Sequence, residues 1–240
     1  MNLLRYCAAT AFLLSPLATF AEPTPVIAVD VGHYRGNPGA ISARGVPEFE
    51  FNAALAKSIG ETLTSQGTRV LLIGAEGNMV HLHARASAAR AGGASFFLAV
   101  HHDSAQPQLL ENWEWQGVTR RYSDRFSGFS LFVSRNNPKL EASRHCASRI
   151  GAALREQGLR PTPHHAEKIR GESKEWADRE NGVYYYDNLV VLKMAAMPAV
   201  LLEAGVIVNR NEEERLKTLE MRATLAKAVQ RGLSDCGATR

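Results

Sequence analysis

Val26-Ile-Ala-Val-Asp-Val-Gly-His33 is apolar for four residues and then turns polar. A short apolar run of this kind reads as a buried strand of a parallel sheet that delivers polar groups at its carboxyl end. The pattern returns twice. Ser95-Phe-Phe-Leu-Ala-Val-His101 runs into His102-Asp103, and Pro198-Ala-Val-Leu-Leu-Glu203 ends in a carboxylate. Arg69-Val-Leu-Leu-Ile73 and Phe129-Ser-Leu-Phe-Val133 read as two more strands. Helical patterns fill the gaps. Pro47 and Glu48 open a helix with Ala53, Ala56, Ile59 and Leu63 as its apolar stripe, and Gly67 stops it. His83 to Ala91, closed by Gly92-Gly93, is a second; Pro138 to Gln157 is a third; Asn211 to Leu233 is the last. Strands alternating with helices predict an α/β fold, a mostly parallel twisted sheet with helices on both faces.

The chain has 240 residues, 45% hydrophobic and 22% charged, which excludes collagen, coiled coil and a mostly disordered polymer. No Pro/Gly/Ser-rich linker divides it, so a single domain is expected. The net charge of +4 is not gathered into a basic run, and no nucleic-acid partner is expected. Arg5, the apolar stretch Cys7 to Phe20 and the small residues of Thr19-Phe20-Ala21 read as a secretory signal cleaved after Ala21. It is too short for a membrane span. Residues 22–240 are then one exported domain, periplasmic or secreted. Cys146 and Cys236 remain in it; they read either as one disulfide, in an oxidising compartment, or as two unrelated buried thiols. The segments 104–127 and 159–188 are polar, aromatic-rich and too long for simple connections. The second is expected to control access to a site, with Glu167, Lys168, Glu172, Lys174 and Glu175 on a short surface helix; an ordinary surface excursion is the plain alternative.

Ligands of open α/β sheets collect outside the carboxyl ends of the strands. His33, His101-His102-Asp103 and Glu203 are therefore expected to meet there. Two neutral imidazoles and a carboxylate make a zinc set with an open fourth position, and a second carboxylate can serve as base. Glu48 and Glu203 are the candidates for these two roles. Capping and ordinary strand-end hydrogen bonding are the structural alternatives for each residue.

Four blocks resemble, in order and spacing, the zinc-dependent N-acetylmuramoyl-L-alanine amidases, which hydrolyse cell walls. They are Val26 to His33 with Gly36-Asn-Pro-Gly-Ala40; Glu48-Phe-Glu-Phe-Asn52 through Lys57; His83-Ala-Arg85 through Ala99-Val-His-His-Asp103; and Leu192-Lys with Met197-Pro-Ala-Val-Leu-Leu-Glu203 through Asn209 and Glu212. The resemblance implies that His33, Glu48 and His101 hold one zinc ion and that Glu203 is the catalytic carboxylate. Glu50 is the nearest rival of Glu48, but Asn52, four residues on, has the family's interval from Glu48. His102 points to the opposite side of an extended chain from His101. Asn52, Asp103 and Arg35 are candidates for supporting the site or touching substrate. Arg44, Trp113 and Trp115 could also contact substrate, though the tryptophans equally suit packing the loop down. Asn209 with Glu212 reads as a helix cap. Tyr34-Arg35 stands where the family has two glycines, and Asn37 where it has Asp. The implied partner is peptidoglycan, cut between the lactyl carbonyl of N-acetylmuramic acid and L-alanine, with room for an activator protein. Two other classes remain: a secreted zinc hydrolase of carboxypeptidase type, and a non-catalytic wall-binding protein.

Overall fold

A computed structural model describes residues 24–239; the expected signal segment lies outside them, apart from which every block quoted above is covered. The elements in chain order are β1 (Val26–Val31), α1 (Glu48–Ser65), β2 (Arg69–Ile73), α2 (Leu82–Ala91), β3 (Phe96–Asp103), β4 (Glu111–Trp115), β5 (Val118–Tyr122) and β6 (Ser130–Val133). They continue with α3 (Leu140–Glu156), β7 (Trp176–Asp178), β8 (Val183–Tyr185), α4 (Val190–Met194), β9 (Ala199–Val206), α5 (Arg210–Leu216) and α6 (Leu219–Asp235). Seven strands form one sheet in the order β2-β1-β3-β9-β6-β8-β7. β2, β1, β3 and β9 are mutually parallel, and β6 turns the direction by pairing antiparallel with β9.

Alternation along the strands builds two cores. Ile27, Val29, Val31, Leu98, Val100, Val200 and Leu202 face one layer, where α1, α3 and α6 contribute Leu55, Ile59, Ile150, Val229 and Leu233. Ala28, Phe97, Ala99 and Leu201 face the other, against Ala89 of α2 and Val191 and Leu192 of α4. Both faces are covered, so the strands are apolar throughout, as parallel sheets require. Cys146 of α3 and Cys236, just after α6, are joined by a disulfide that ties the two helices together.

Three sequence expectations change. The last helix is two: Asn209 caps α5 and Thr218 caps α6, each side chain accepting from backbone N–H groups of a new first turn. Segment 104–127 contains the hairpin β4–β5, a separate two-stranded sheet closed by Gln116-Gly117. Segment 159–188 carries no helix over 167–175; it makes a 3₁₀ turn at His164–Ala166 and then enters the main sheet as β7 and β8. Periodicity missed these strands because each is three to five residues long and rich in polar or aromatic groups.

Candidate metal centre

β1 and β3 are neighbours and end side by side, with Val31 opposite Val100. His33 follows β1 with φ at +67°, a conformation a non-glycine residue keeps only where its surroundings impose it. Arg85 of α2 imposes it. Its buried guanidinium donates to Asp30 Oδ1 at 2.8 Å and to Met79 O at 2.9 Å, and also bonds the carbonyl oxygens of Val31 and His33. Burial pushes the Asp30 carboxyl up to about 6, against the opposing pull of Arg85.

Glu48, the first residue of α1, reaches over these strand ends from the opposite layer. Its Oε2 lies 2.9 Å from His33 Nε2 and its Oε1 lies 3.0 Å from His101 Nδ1. The three residues' donor atoms all fall within 4.8 Å of one another. The carboxylate is also positioned by Ala40 N on Oε2 at 3.1 Å and by Asn52 Nδ2 on Oε1 at 3.0 Å. Burial alone would raise its pKa, but hydrogen bonds and charge from His101 and His33 outweigh burial and hold it well below the usual carboxylate range. Zinc bonds of 2.0–2.2 Å in tetrahedral geometry place ligand atoms about 3.3 Å apart. Two imidazole nitrogens converging at that spacing on a buried, anionic carboxylate fit a zinc ion.

Glu50 and His102 lie outside this cluster. Glu50 is exposed. His102 faces α1, its Nδ1 2.8 Å from Asn52 Oδ1 and its ring against Phe51, and burial lowers it to about 3, so it is neutral. Asn52 thus contacts both Glu48 and His102.

Glu203 sits opposite His101 in the β3–β9 register, on the face of Ala199 and Leu201. Its Oε2 is enclosed and has no hydrogen-bond partner. Burial, then the charges of Asp103 and Glu48, raise its pKa well above the ordinary value. A buried carboxyl with a free oxygen at the strand end is a group that can take and return a proton.

The remaining candidates go elsewhere. Asp103 makes no hydrogen bond to the triad: its carboxylate accepts from His165 Nε2 at 2.7 Å and from Ser104 N at 2.8 Å. The bulge in β3–β9 pairing between His101 and Asp103 separates the two. Arg35 donates to Glu76 O at 3.2 Å and lies over the Phe49 ring. Trp113 donates to Ala43 O at 2.9 Å, and Arg44 lies over both Trp113 and Trp115 while pairing with Glu213. These residues pack the hairpin down. Asn209 and Glu212 are structural: Asn209 Oδ1 caps α5, and Glu212 accepts from Gly128 N and Val206 N. Sequence reasoning missed Arg85 with Asp30 as the clamp on His33, and missed His164-His165, although a histidine doublet inside a segment already singled out was a visible signal.

The family model for N-acetylmuramoyl-L-alanine amidase matches residues 27–235. The chain belongs to the N-acetylmuramoyl-L-alanine amidase family. A probable amidase of this type from Haemophilus influenzae, AmiB, is 26% identical over 89% of this chain, and the match spans 52% of that protein. The chain therefore spans about half the length of that relative. AmiA of Escherichia coli is 24% identical over 87% of the chain and 74% of its own length. The catalytic domain of the Bacillus (Paenibacillus) polymyxa amidase CwlV shares the fold at a TM-score of 0.68, with 22% identity over 90% of this chain and all of that one. The α/β architecture expected from the sequence is thus the architecture of amidase catalytic domains.

Proposed function

We propose that this protein hydrolyses the amide bond between N-acetylmuramic acid and the L-alanine of peptidoglycan stem peptides. The observation that carries the reading is the convergence of His33, Glu48 and His101 beside a protonatable, unpartnered Glu203, in a chain of the amidase family. His33 Nε2, Glu48 and His101 Nδ1 would hold one zinc ion. Bound zinc supplies Lewis acidity for the scissile carbonyl and for water. Glu203 takes a proton from the attacking water at its free oxygen and passes it to the departing L-alanine nitrogen. Arg85 holds the His33 backbone through its carbonyl oxygen and Asn52 holds the Glu48 carboxylate, which keeps these ligands in place during this cycle. Substrate approaches along a groove lined by His33, Tyr34, Asn37, His101, Leu189 and Leu201. Tyr34 narrows it where glycine would leave it open.

The protein acts outside the cytoplasm, exported by its first 21 residues; the Cys146–Cys236 disulfide supports an oxidising compartment. Among the described residues no helix is long and apolar enough to cross a membrane. Peptidoglycan is the partner, and an activator protein that widens the groove is compatible with the narrow mouth.

The test is mass spectrometry of purified peptidoglycan digested with the exported protein, with and without a chelator. Free muramoyl glycan and intact stem peptides, lost on chelation, are expected. Single amino acids would mean a carboxypeptidase, and binding with no products a wall-binding protein. Mass analysis of the exported protein should show a chain starting at Glu22; a retained Met1 refutes cleavage after Ala21.

A further inference from the structure

A second donor set lies past the first, where β3 ends. Asp103 Oδ2 is 2.7 Å from His165 Nε2 and 3.3 Å from His164 Nε2. One donor atom from each residue falls within 4.8 Å of the others. Both rings are buried and held through their far nitrogens: His165 Nδ1 by Glu172 Oε2 at 2.8 Å, His164 Nδ1 by Thr162 Oγ1 at 2.8 Å. Histidine metal ligands are typically oriented in this way, the second nitrogen tied to a carboxylate or other acceptor.

An internal ion pair accounts for only part of this. Asp103 and Glu172 meet His165 from both sides, Oδ2 at Nε2 and Oε2 at Nδ1. They leave His164 Nε2 without a hydrogen bond, although His164 is only 2% exposed. Two other enclosed oxygens nearby also lack partners, Glu203 Oε2 and Ser130 Oγ. Ser130 stands opposite Glu203 in the β6–β9 pairing. Asp103, His165, Glu172 and Glu203 line one cavity. A buried polar atom with no partner requires an explanation, and an ion is one of the standard explanations.

We propose that Asp103, His164 and His165 form a second binding site for a divalent first-row transition cation, separate from the His33–Glu48–His101 set. Two imidazoles and a carboxylate suit zinc and its neighbours and leave coordination positions open toward the cavity. The cation gives His164 Nε2 a partner and places positive charge in the cavity that Glu203 shares. The assignment does not rest on the amidase reading, because it uses none of the first set's ligands.

The experiment is zinc titration of the full exported chain, first stripped of metal, against a competing chromophoric chelator, with elemental analysis of the dialysed protein. Two zinc equivalents are expected for the native chain. A His33→Ala/His101→Ala variant should keep one, and a His164→Asn/His165→Asn variant should also keep one. Circular dichroism checks that each variant is folded. If the histidine-doublet variant does not fold, Asp103→Asn takes its place and should likewise keep one equivalent. Zero zinc in the first-set variant, or two equivalents in a folded doublet variant, overturns the proposal. The cluster is then a structural ion pair or a water site. Loss of the first site alone, with one equivalent kept in the first-set variant but none lost from the doublet variant, would also place the second ion elsewhere and refute it.

Discussion

Gly39 offers a clean test of how the first metal set is built. Its φ is +81°, and a Cβ placed there would lie 2.3 Å from Glu48 Oε2 and 2.7 Å from His33 Nε2. Gly39→Ala therefore carries two costs. The backbone strain of a side chain in the left-handed region is about 1–2 kcal/mol. The contact is separate: ordinary carbon–oxygen packing needs roughly 3.4 Å or more, so Glu48 Oε2 must retreat by about 1 Å. Metal sites tolerate ligand displacements of only about 0.2 Å before geometry suffers. A disturbance of this size is expected to cost at least ~10–100-fold in zinc affinity, the range typical of lost ligand support. Gly67 is the control. It has the same φ, +81°, but nothing lies within 4 Å of its missing Cβ. Gly67→Ala should lose similar stability in denaturant melts and keep native zinc affinity in chelator competition. If Gly39→Ala binds zinc within threefold of the native chain, or if both variants lose affinity equally, the crowding argument fails.

Glu203→Gln should keep zinc and fold and lose at least ~10²-fold in turnover on peptidoglycan, since the amide cannot accept the proton; near-native turnover would remove Glu203 from the chemistry, and lost zinc would make it a ligand. The Cys146–Cys236 bond closes a loop with a sequence separation of 90 residues. Chain entropy puts its removal at about 4–5 kcal/mol, so Cys146→Ser/Cys236→Ser should unfold at clearly lower urea, and an unchanged midpoint would refute the linkage. Arg85→Met leaves Asp30 buried without its partner and is expected to cost about 3–5 kcal/mol; because the same side chain holds the His33 carbonyl, zinc affinity should fall as well, whereas a destabilised variant with native zinc affinity would deny the clamp. Asn52→Ala should weaken zinc binding by ~10-fold or more through the freed Glu48 and His102, read by the same chelator competition; unchanged affinity would make Asn52 a packing residue only.

The long strands and helices of the main layers were legible in the sequence, and the family resemblance pointed to His33, Glu48 and His101 as a candidate metal set. Strands buried on both faces must be continuously apolar, so the points where Val31, Val100 and Leu202 give way to polar groups are visible as abrupt changes of composition. Alternation separated His101 from His102, and the resemblance to the family's helix, with Asn52 four residues on, favoured Glu48 over Glu50; in the structure His101 and Glu48 are in contact and His102 turns to Asn52. Pairings between distant segments were beyond it. Arg85 and Asp30, 55 residues apart, identify themselves as a clamp only when α2 packs over the end of β1. Asp103 reads as an accessory of its neighbour His101 until the bulge at the end of β3 turns it toward a 3₁₀ turn 62 residues on. Cys146 and Cys236 are two thiols in one dimension and a bond in three, because α3 lies against α6. Local patterns report which face of an element is buried. They carry no information on which distant side chain lies across from it, and that is decided only when the layers pack.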